Sequence, residues 1–189
     1  MDEVEVHSAG VTTRRARADD ADAIADVHVE SWRSSYAHLL SQAYLDSLSK
    51  AQRAKSWRAA LEQGAPEIWL GPDRGTVTGW IAFDRDREPG AGSSDGEIWA
   101  LYVAAGSWGS GLGTALCERA CARLAARGFK KVTLWVFEDN PRARGFYQKR
   151  GFVLVADSAR SFELGGVGLR EVCYAKALPT RSAPLAAVP

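Results

Sequence analysis

Cysteine, histidine and methionine are scarce, at three, three and one among 189 residues. Cys117, Cys121 and Cys173 make an odd count, which argues against a paired disulfide framework. Cys117 and Cys121 stand four apart on a predicted helix and share a face. No further His or Cys follows nearby to complete a metal site, so they read as small buried hydrophobes and no metal is expected. His28 and His38 have no evident partner in the sequence and read as surface or core residues rather than catalytic bases. The formal net charge is +1, without the basic footprint of a nucleic-acid binder. No apolar run approaches the roughly 20 residues of a membrane span. The first residues, MDEVEVHSAG, are acidic and polar, unlike a secretion signal. The expectation is a cytoplasmic chain that partners neither nucleic acid nor membrane.

What the chain has is apolar residues at 46%, charge at 25% and seven tryptophans. That composition and length suit one domain with a substantial core. The tryptophans, spread from Trp32 to Trp135, point to a core plus an aromatic-lined cleft. Residues 1–11 read as a flexible lead, 12–178 as a single domain, and 179–189 as a disordered Pro/Ala-rich tail. TTRRARA (Thr12–Ala18) predicts a strand, with Asp19 capping the helix that follows. Further helices are predicted over about Gln42–Leu48 and Ala51–Leu61, ended by Gly64 and Pro66. EIWL and TVTGWIAFD predict a hairpin across the turn at residues 71–75. A polar, mobile loop over Arg87–Gly96 leads into the strand EIWALYV. A helix from about Leu112 to Ala126 buries Leu112, Leu116, Ala120 and Leu124 on one face, and Gly128 closes it. KVTLWVF predicts a strand, and Asn140 before Pro141 starts a helix that ends at Gly151. FVLVA and LREVCYAKA are two final strands joined by a loop with Gly165, Gly166 and Gly168. The order predicts an α/β fold with a mixed sheet covered by helices.

One stretch asks for a ligand. GSWGSGLGTAL (Gly106–Leu116) places Gly109, Gly111 and Gly113 at the mouth of a helix. Bare backbone there either makes a tight turn or leaves N–H groups open to a phosphate, toward which the helix dipole adds about half a positive charge. It is no Walker A loop, because no Lys follows the glycines, and no dinucleotide fingerprint, because Thr114 stands at the last glycine position.

The stretch LYVAAGSWGSGLG, with NPRARGFYQKRGF downstream, resembles the two signatures of the GNAT superfamily of N-acetyltransferases. The first is a Val, then Arg/Gln-x-x-G-x-G/A; the second is N-x-x-A-x-x-F-Y-x-x-x-G-F. The similarity covers roughly Thr12–Ala177, and SWRSSYAHLL with AYLDSL resembles the N-terminal helices of bacterial members. Ala105 stands where the family often has Pro, and Trp108 where it has Arg or Gln. The resemblance implies a mostly antiparallel sheet of about seven strands whose fourth and fifth, EIWALYV and KVTLWVF, splay apart at an acetyl-CoA site.

It also implies roles. Trp108, Gly109, Ser110, Gly111, Leu112, Gly113 and Thr114 would cradle the pyrophosphate. Leu101, Tyr102 and Val103 would flank the pantetheine arm, with a backbone N–H near Val103 meeting the thioester oxyanion. Asn140 would hydrogen-bond the pantetheine, and Phe146 and Arg144 would contact the cofactor. Tyr147 would be the general acid for the leaving thiolate and Glu97 a general base for the amine. Separately from the resemblance, Trp32 and Tyr36 are four apart on one helical face and, with Trp99 and Trp135, would either wall an acceptor pocket or pack in the core. The implied reaction is direct attack of a primary amine, on a small molecule or peptide, upon acetyl-CoA through a tetrahedral intermediate. The alternatives are a ribosomal-type protein N-terminal acetyltransferase and a non-catalytic acyl-CoA sensor. A monomer or homodimer is expected.

Overall fold

A computed structural model describes residues 6–8, 11–73 and 75–179. Nine strands form one sheet in the order β1-β2-β3-β4-β5-β6-β9-β7, with β8 also pairing β9. They are β1 (Val6–Ser8), β2 (Val11–Arg15), β3 (Glu67–Asp73), β4 (Thr76–Arg85), β5 (Asp95–Val103), β6 (Lys131–Phe137), β7 (Val153–Leu154), β8 (Arg160–Leu164) and β9 (Val167–Ala177). The helices are α1 (Ala21–Ser35), α2 (Gln42–Ser47), α3 (Lys50–Gln63), α4 (Leu112–Ala126) and α5 (Pro141–Gln148). Every pairing is antiparallel except β5 with β6.

Two strands exceed the expected seven. Of the expected flexible lead, Val6–Ser8 is β1, paired with Val11–Thr13 of β2; residues 1–5 and 9–10 lie outside the described residues. The expected tail lies outside them from residue 180 onward. Arg160–Leu164, expected as loop, is β8, because Gly165 and Gly166 make a two-residue hairpin turn between Leu164 and Val167. Both glycines hold positive φ, 59° and 76°, as the turn types that match strand twist demand. The start of α1 also shifts. Residues Ala18–Asp20 form a short 3-10 turn, and the cap position falls on Asp20 rather than Asp19. The Asp20 carboxylate accepts from the Arg14 guanidinium at 2.6 and 2.8 Å and from the Arg17 N–H at 2.8 Å.

The apolar residues sort onto two sides of the sheet. On one side Leu112, Leu116, Ala120 and Leu124 of α4 are buried against Ile81, Phe83, Val132 and Leu134. On the other, Ile24 and Val27 of α1 pack on Ile68, Leu70, Trp80 and Ala82. Burying each Leu, Ile, Val or Phe among them is worth about 1.5–3 kcal/mol. The paired strands β3 and β4 put Gly71 opposite Gly79, and Leu112 drops into the gap. A Cβ on Gly71 would lie 2.0 Å from Leu112 Cδ1, and one on Gly79 2.9 Å from Leu112 Cδ2. This socket seats the first turn of α4 on the sheet and thereby aims its N-terminus.

Candidate active site

The site begins where two strands part. β5 and β6 pair from Asp95–Lys131 to Ile98–Leu134, and among the described residues no pair joins them beyond that point. Parallel strands that diverge leave the β6-facing edge of Trp99–Val103 open, with backbone groups that need partners. The register of β4 on β5 slips at the same level. Ala82 faces Ala100 and Phe83 faces Ile98, so Trp99 has no residue opposite. That bulge reverses the alternation. Ile98, Leu101 and Val103 join the core on the α4 side, while Ala100 and Tyr102 turn to the α1 side.

The strand end feeds the glycine loop. Gly109 and Gly111 hold φ of 80° and 88°, and Gly111 is the N-cap residue of α4. Side chains rarely adopt that backbone, whereas glycine does so freely. Gly113 has a different reason: a Cβ there would lie 3.2 Å from the Phe146 ring. The Ala115 N–H bonds the Gly111 carbonyl, but among the described residues no group accepts from the N–H of Gly111, Gly113 or Thr114. These are the orphan donors of a helix start, and they open onto the cleft. α5 closes the far side. Asn140 Oδ1 accepts from the Ala143 N–H at 3.0 Å, capping α5 with Pro141 in its first turn. Arg150, just past α5, binds the Phe146 carbonyl and the Thr114 hydroxyl and stacks on the Phe146 ring. The start of α4 is thus tied to the end of α5.

Between these elements lies a cleft of about 1030 Å³. Leu101, Tyr102, Val103, Trp108, Gly109, Gly111, Gly113, Thr114, Asn140 and Phe146 all line it, as do Tyr147, Glu97, Trp32, Tyr36, Trp99 and Trp135. Three residues anticipated as cofactor contacts do not. Ser110 turns its hydroxyl back to the Ser107 carbonyl at 2.7 Å. Leu112 points into the glycine socket. Arg144 faces away, donating to the Tyr174 hydroxyl at 3.2 Å and the Glu138 carbonyl at 3.0 Å.

The environment of each polar group limits its chemistry. Tyr147 is buried against Phe146 and Phe152, and that burial pushes its hydroxyl well above the usual phenol range. It is therefore a neutral proton carrier at ordinary pH. Tyr102 is raised by burial as well, although the Trp32 indole N–H donates to its oxygen at 2.8 Å. Tyr36 is raised by burial too, while an Asn140 hydrogen bond to its hydroxyl works the other way. With its oxygen spent on the helix cap, Asn140 offers only its amide N–H groups. Glu97 is 2% exposed, and Arg87 grips it with three donors. Arg87 Nη2 lies 2.5 Å from Oε1; Nε and the backbone N–H lie 2.9 and 3.1 Å from Oε2. Three of its four lone pairs are thereby occupied, and one on Oε1 is left for an amine proton.

Arginines and further rings complete the lining. Arg142 stacks on Trp108 at 3.4 Å from the ring centroid, Arg87 covers Trp99 at 4.3 Å, and Arg160 covers Trp135 at 3.6 Å. Phe137 and Phe162 add rings to the same wall. The cue available for Phe137 was its alternation with Trp135 in β6. The Arg142–Trp108 and Arg160–Trp135 stacks join distant elements, and the Arg87–Trp99 stack folds the β4–β5 loop back on β5, so no short-range pattern announces them.

Residues 23–152 match the Acetyltransferase (GNAT) family. An uncharacterised N-acetyltransferase of Bacillus subtilis is 34% identical over 163 residues, 86% of this chain and 90% of that protein. A probable N-acetyltransferase of Mycobacterium tuberculosis is 30% identical over 166 residues, covering 87% and 92%. Among solved structures, a GNAT superfamily phosphinothricin acetyltransferase from Sinorhizobium meliloti, in complex with acetyl-CoA, superposes with a TM-score of 0.71 at 23% identity. The superposition covers 94% of this chain and 95% of that one.

Proposed function

The chain belongs to the GNAT family of acetyltransferases, and from that premise we propose that its cleft carries an acetyl group from acetyl-CoA to the primary amine of a small molecule. The observation that carries this reading is the parting of β5 from β6 beyond Ile98–Leu134, directly beside the open N–H groups at the start of α4. An extended arm fits the gap, and a pyrophosphate fits the helix mouth. Bound there, acetyl-CoA supplies an activated acyl group and a thiol leaving group.

The protein's residues then have two protons to manage. A lysine-like ammonium costs about 4.6 kcal/mol to deprotonate at pH 7, and an α-ammonium about 1 kcal/mol. The apolar walls of the acceptor end lower that cost by disfavouring charge. The amine proton leaves to solvent, and the neutral amine attacks the carbonyl. A backbone N–H near Val103 receives the charge that grows on the carbonyl oxygen. The buried Tyr147 hydroxyl gives its proton to the sulfur as the C–S bond breaks, and it is restored through water by the proton that the attacking nitrogen sheds on becoming an amide. Glu97, locked to Arg87, holds the floor of the acceptor end rather than shuttling the proton.

A peptide acceptor needs an open groove. Here Arg160 of β8, which lines the acceptor end, bonds Glu88 of the β4–β5 loop at 2.7 Å and ties β8 to that loop. This favours a small molecule over a chain terminus. A non-catalytic acyl-CoA sensor would use the Tyr147 ring for packing on Phe146 and Phe152 but not its hydroxyl. The test is calorimetric titration with acetyl-CoA, followed by thiol release in the presence of amines. Saturable binding with amine-dependent thiol release is expected; absence of binding would defeat the reading.

A further inference from the structure

The acceptor end of the cleft has a continuous wall of rings. Trp32 meets Tyr36 edge-on at 5.2 Å between centroids, and Tyr36 meets Phe137 edge-on at 4.9 Å. Phe137 stacks with Phe162 at 6.0 Å and 28°. This run crosses from α1 over β6 to β8, and all four residues line the cleft. Aromatic edges and faces favour a further ring in an offset or edge-on pose.

Charge at the same end is already matched within the protein. The charged residues lining it are Arg87, Glu97, Arg160 and Glu171. Arg87 is bound to Glu97 at 2.5 Å. Arg160 is bound to Glu171 at 2.5 Å and to Glu88 at 2.7 Å. The two guanidiniums also cap the faces of Trp99 and Trp135, filling the positions a substrate cation would seek. An acidic amine would have to take an arginine from its carboxylate, and a polyamine would have to take a carboxylate from its arginine. Either exchange strands a partly buried charge.

We propose that the acceptor is an arylalkylamine: a primary amine on an aromatic body, with neither a carboxylate nor a second ammonium, seated against the Trp32–Tyr36–Phe137–Phe162 wall. This rests on the acetyltransferase reading above. The ring of such a substrate extends the wall without disturbing either ion pair.

The experiment is thiol release by the full chain with acetyl-CoA and four amines: phenethylamine, tryptamine, spermidine and glutamate. The two arylalkylamines are expected to exceed spermidine and glutamate at least 100-fold in kcat/KM. Phe162→Ala is expected to raise KM for phenethylamine about tenfold while leaving KM for acetyl-CoA within twofold, and Phe162→Leu to recover part of the loss. If the alanine variant does not fold, the leucine variant alone must raise KM for phenethylamine selectively. Preference for glutamate or spermidine, or an unmoved phenethylamine KM in a folded Phe162 variant, overturns the arylalkylamine assignment and leaves the acetyltransferase reading standing. Acetyl-CoA binding with no turnover of either arylalkylamine also overturns it. Failure to bind acetyl-CoA overturns both.

Discussion

The guanidinium of Arg142, in the first turn of α5, lies 3.4 Å from the centroid of the Trp108 ring on the glycine loop. Trp108 occupies the position where the family commonly has Arg or Gln. Its indole N–H is committed to the Val103 carbonyl at 2.9 Å, so it pins the loop to the end of β5. The positive charge missing at this position is restored from a different helix.

Arg142→Ala should therefore weaken acetyl-CoA binding about tenfold, the value of roughly one charge-assisted hydrogen bond. Trp108→Arg in that background should return most of the loss. Calorimetry on the four proteins of this cycle measures it. An Arg142→Ala variant with unchanged affinity would mean that the stack serves only the loop.

Gly111 separates backbone strain from ligand contact. A Cβ there meets only Val11 Cγ2, at 3.8 Å, so space is available and the φ of 88° is the sole local obstacle. Gly111→Ala should cost about 1–2 kcal/mol of stability, the price of a left-handed residue. Its acetyl-CoA affinity should fall only a few-fold. Gly111→Glu adds a carboxylate beside the open N–H groups and should lose more than 100-fold in affinity for a similar fall in Tm. Equal affinities for the two variants would remove the phosphate from this loop.

Much of this was legible from pattern, and the exceptions share a cause. Leu112, Leu116, Ala120 and Leu124 keep helical spacing, and all four are buried. EIWALYV and KVTLWVF are strands, as their residues predict, and they part as the family resemblance implied. The capping of α5 by Asn140 followed from a short-range rule. The misses needed either turn chemistry or distance. Gly165-Gly166 was read as a loop when its two-residue spacing marks a hairpin. The Arg87–Glu97 pair spans ten residues across a bend, so Glu97 looked free as a base. Arg144 and Arg142 sit two apart on α5 and point differently, and only the sheet beneath them decides which one reaches the cleft.

Tyr147 carries the clearest catalytic prediction. Tyr147 lines the cleft, and burial raises the proton affinity of its hydroxyl, so it stays protonated throughout the neutral and mildly alkaline range. Tyr147→Phe keeps the ring packing on Phe146 and Phe152 and deletes the donor. We expect kcat to fall about 100-fold, within the range for general-acid loss, while the acetyl-CoA dissociation constant moves less than twofold. Wild-type kcat should show no fall between pH 7 and 9 from this group. A kcat within twofold of wild type would assign the proton to water.

His28 gives a stability prediction whose sign is fixed by its surroundings. Its ring stacks on Tyr102 at 4.9 Å between centroids, and its Nδ1 accepts from the Trp57 indole N–H at 3.3 Å. Nε2 is buried without a partner among the described residues. Burial first, then the nearby Arg53 charge, lowers its pKa to about 3, against 6.5 for an ordinary imidazole. Between those values the unfolded chain binds a proton that the folded chain refuses, so stability rises with pH across that window. The slope is about 1.4 kcal/mol per pH unit, which gives a loss of about 2–3 kcal/mol on going from pH 6.5 to 4.5. Above pH 6.5 the contribution is complete. His28→Phe retains a ring among Trp32, Trp57, Trp80 and Tyr102 and removes the titration. Urea unfolding at pH 7.5 and 4.5 should show the variant losing about 2–3 kcal/mol less than wild type over that interval. An equal loss in both proteins would mean that folded His28 takes up its proton normally, and that the aromatic cage around it admits charge.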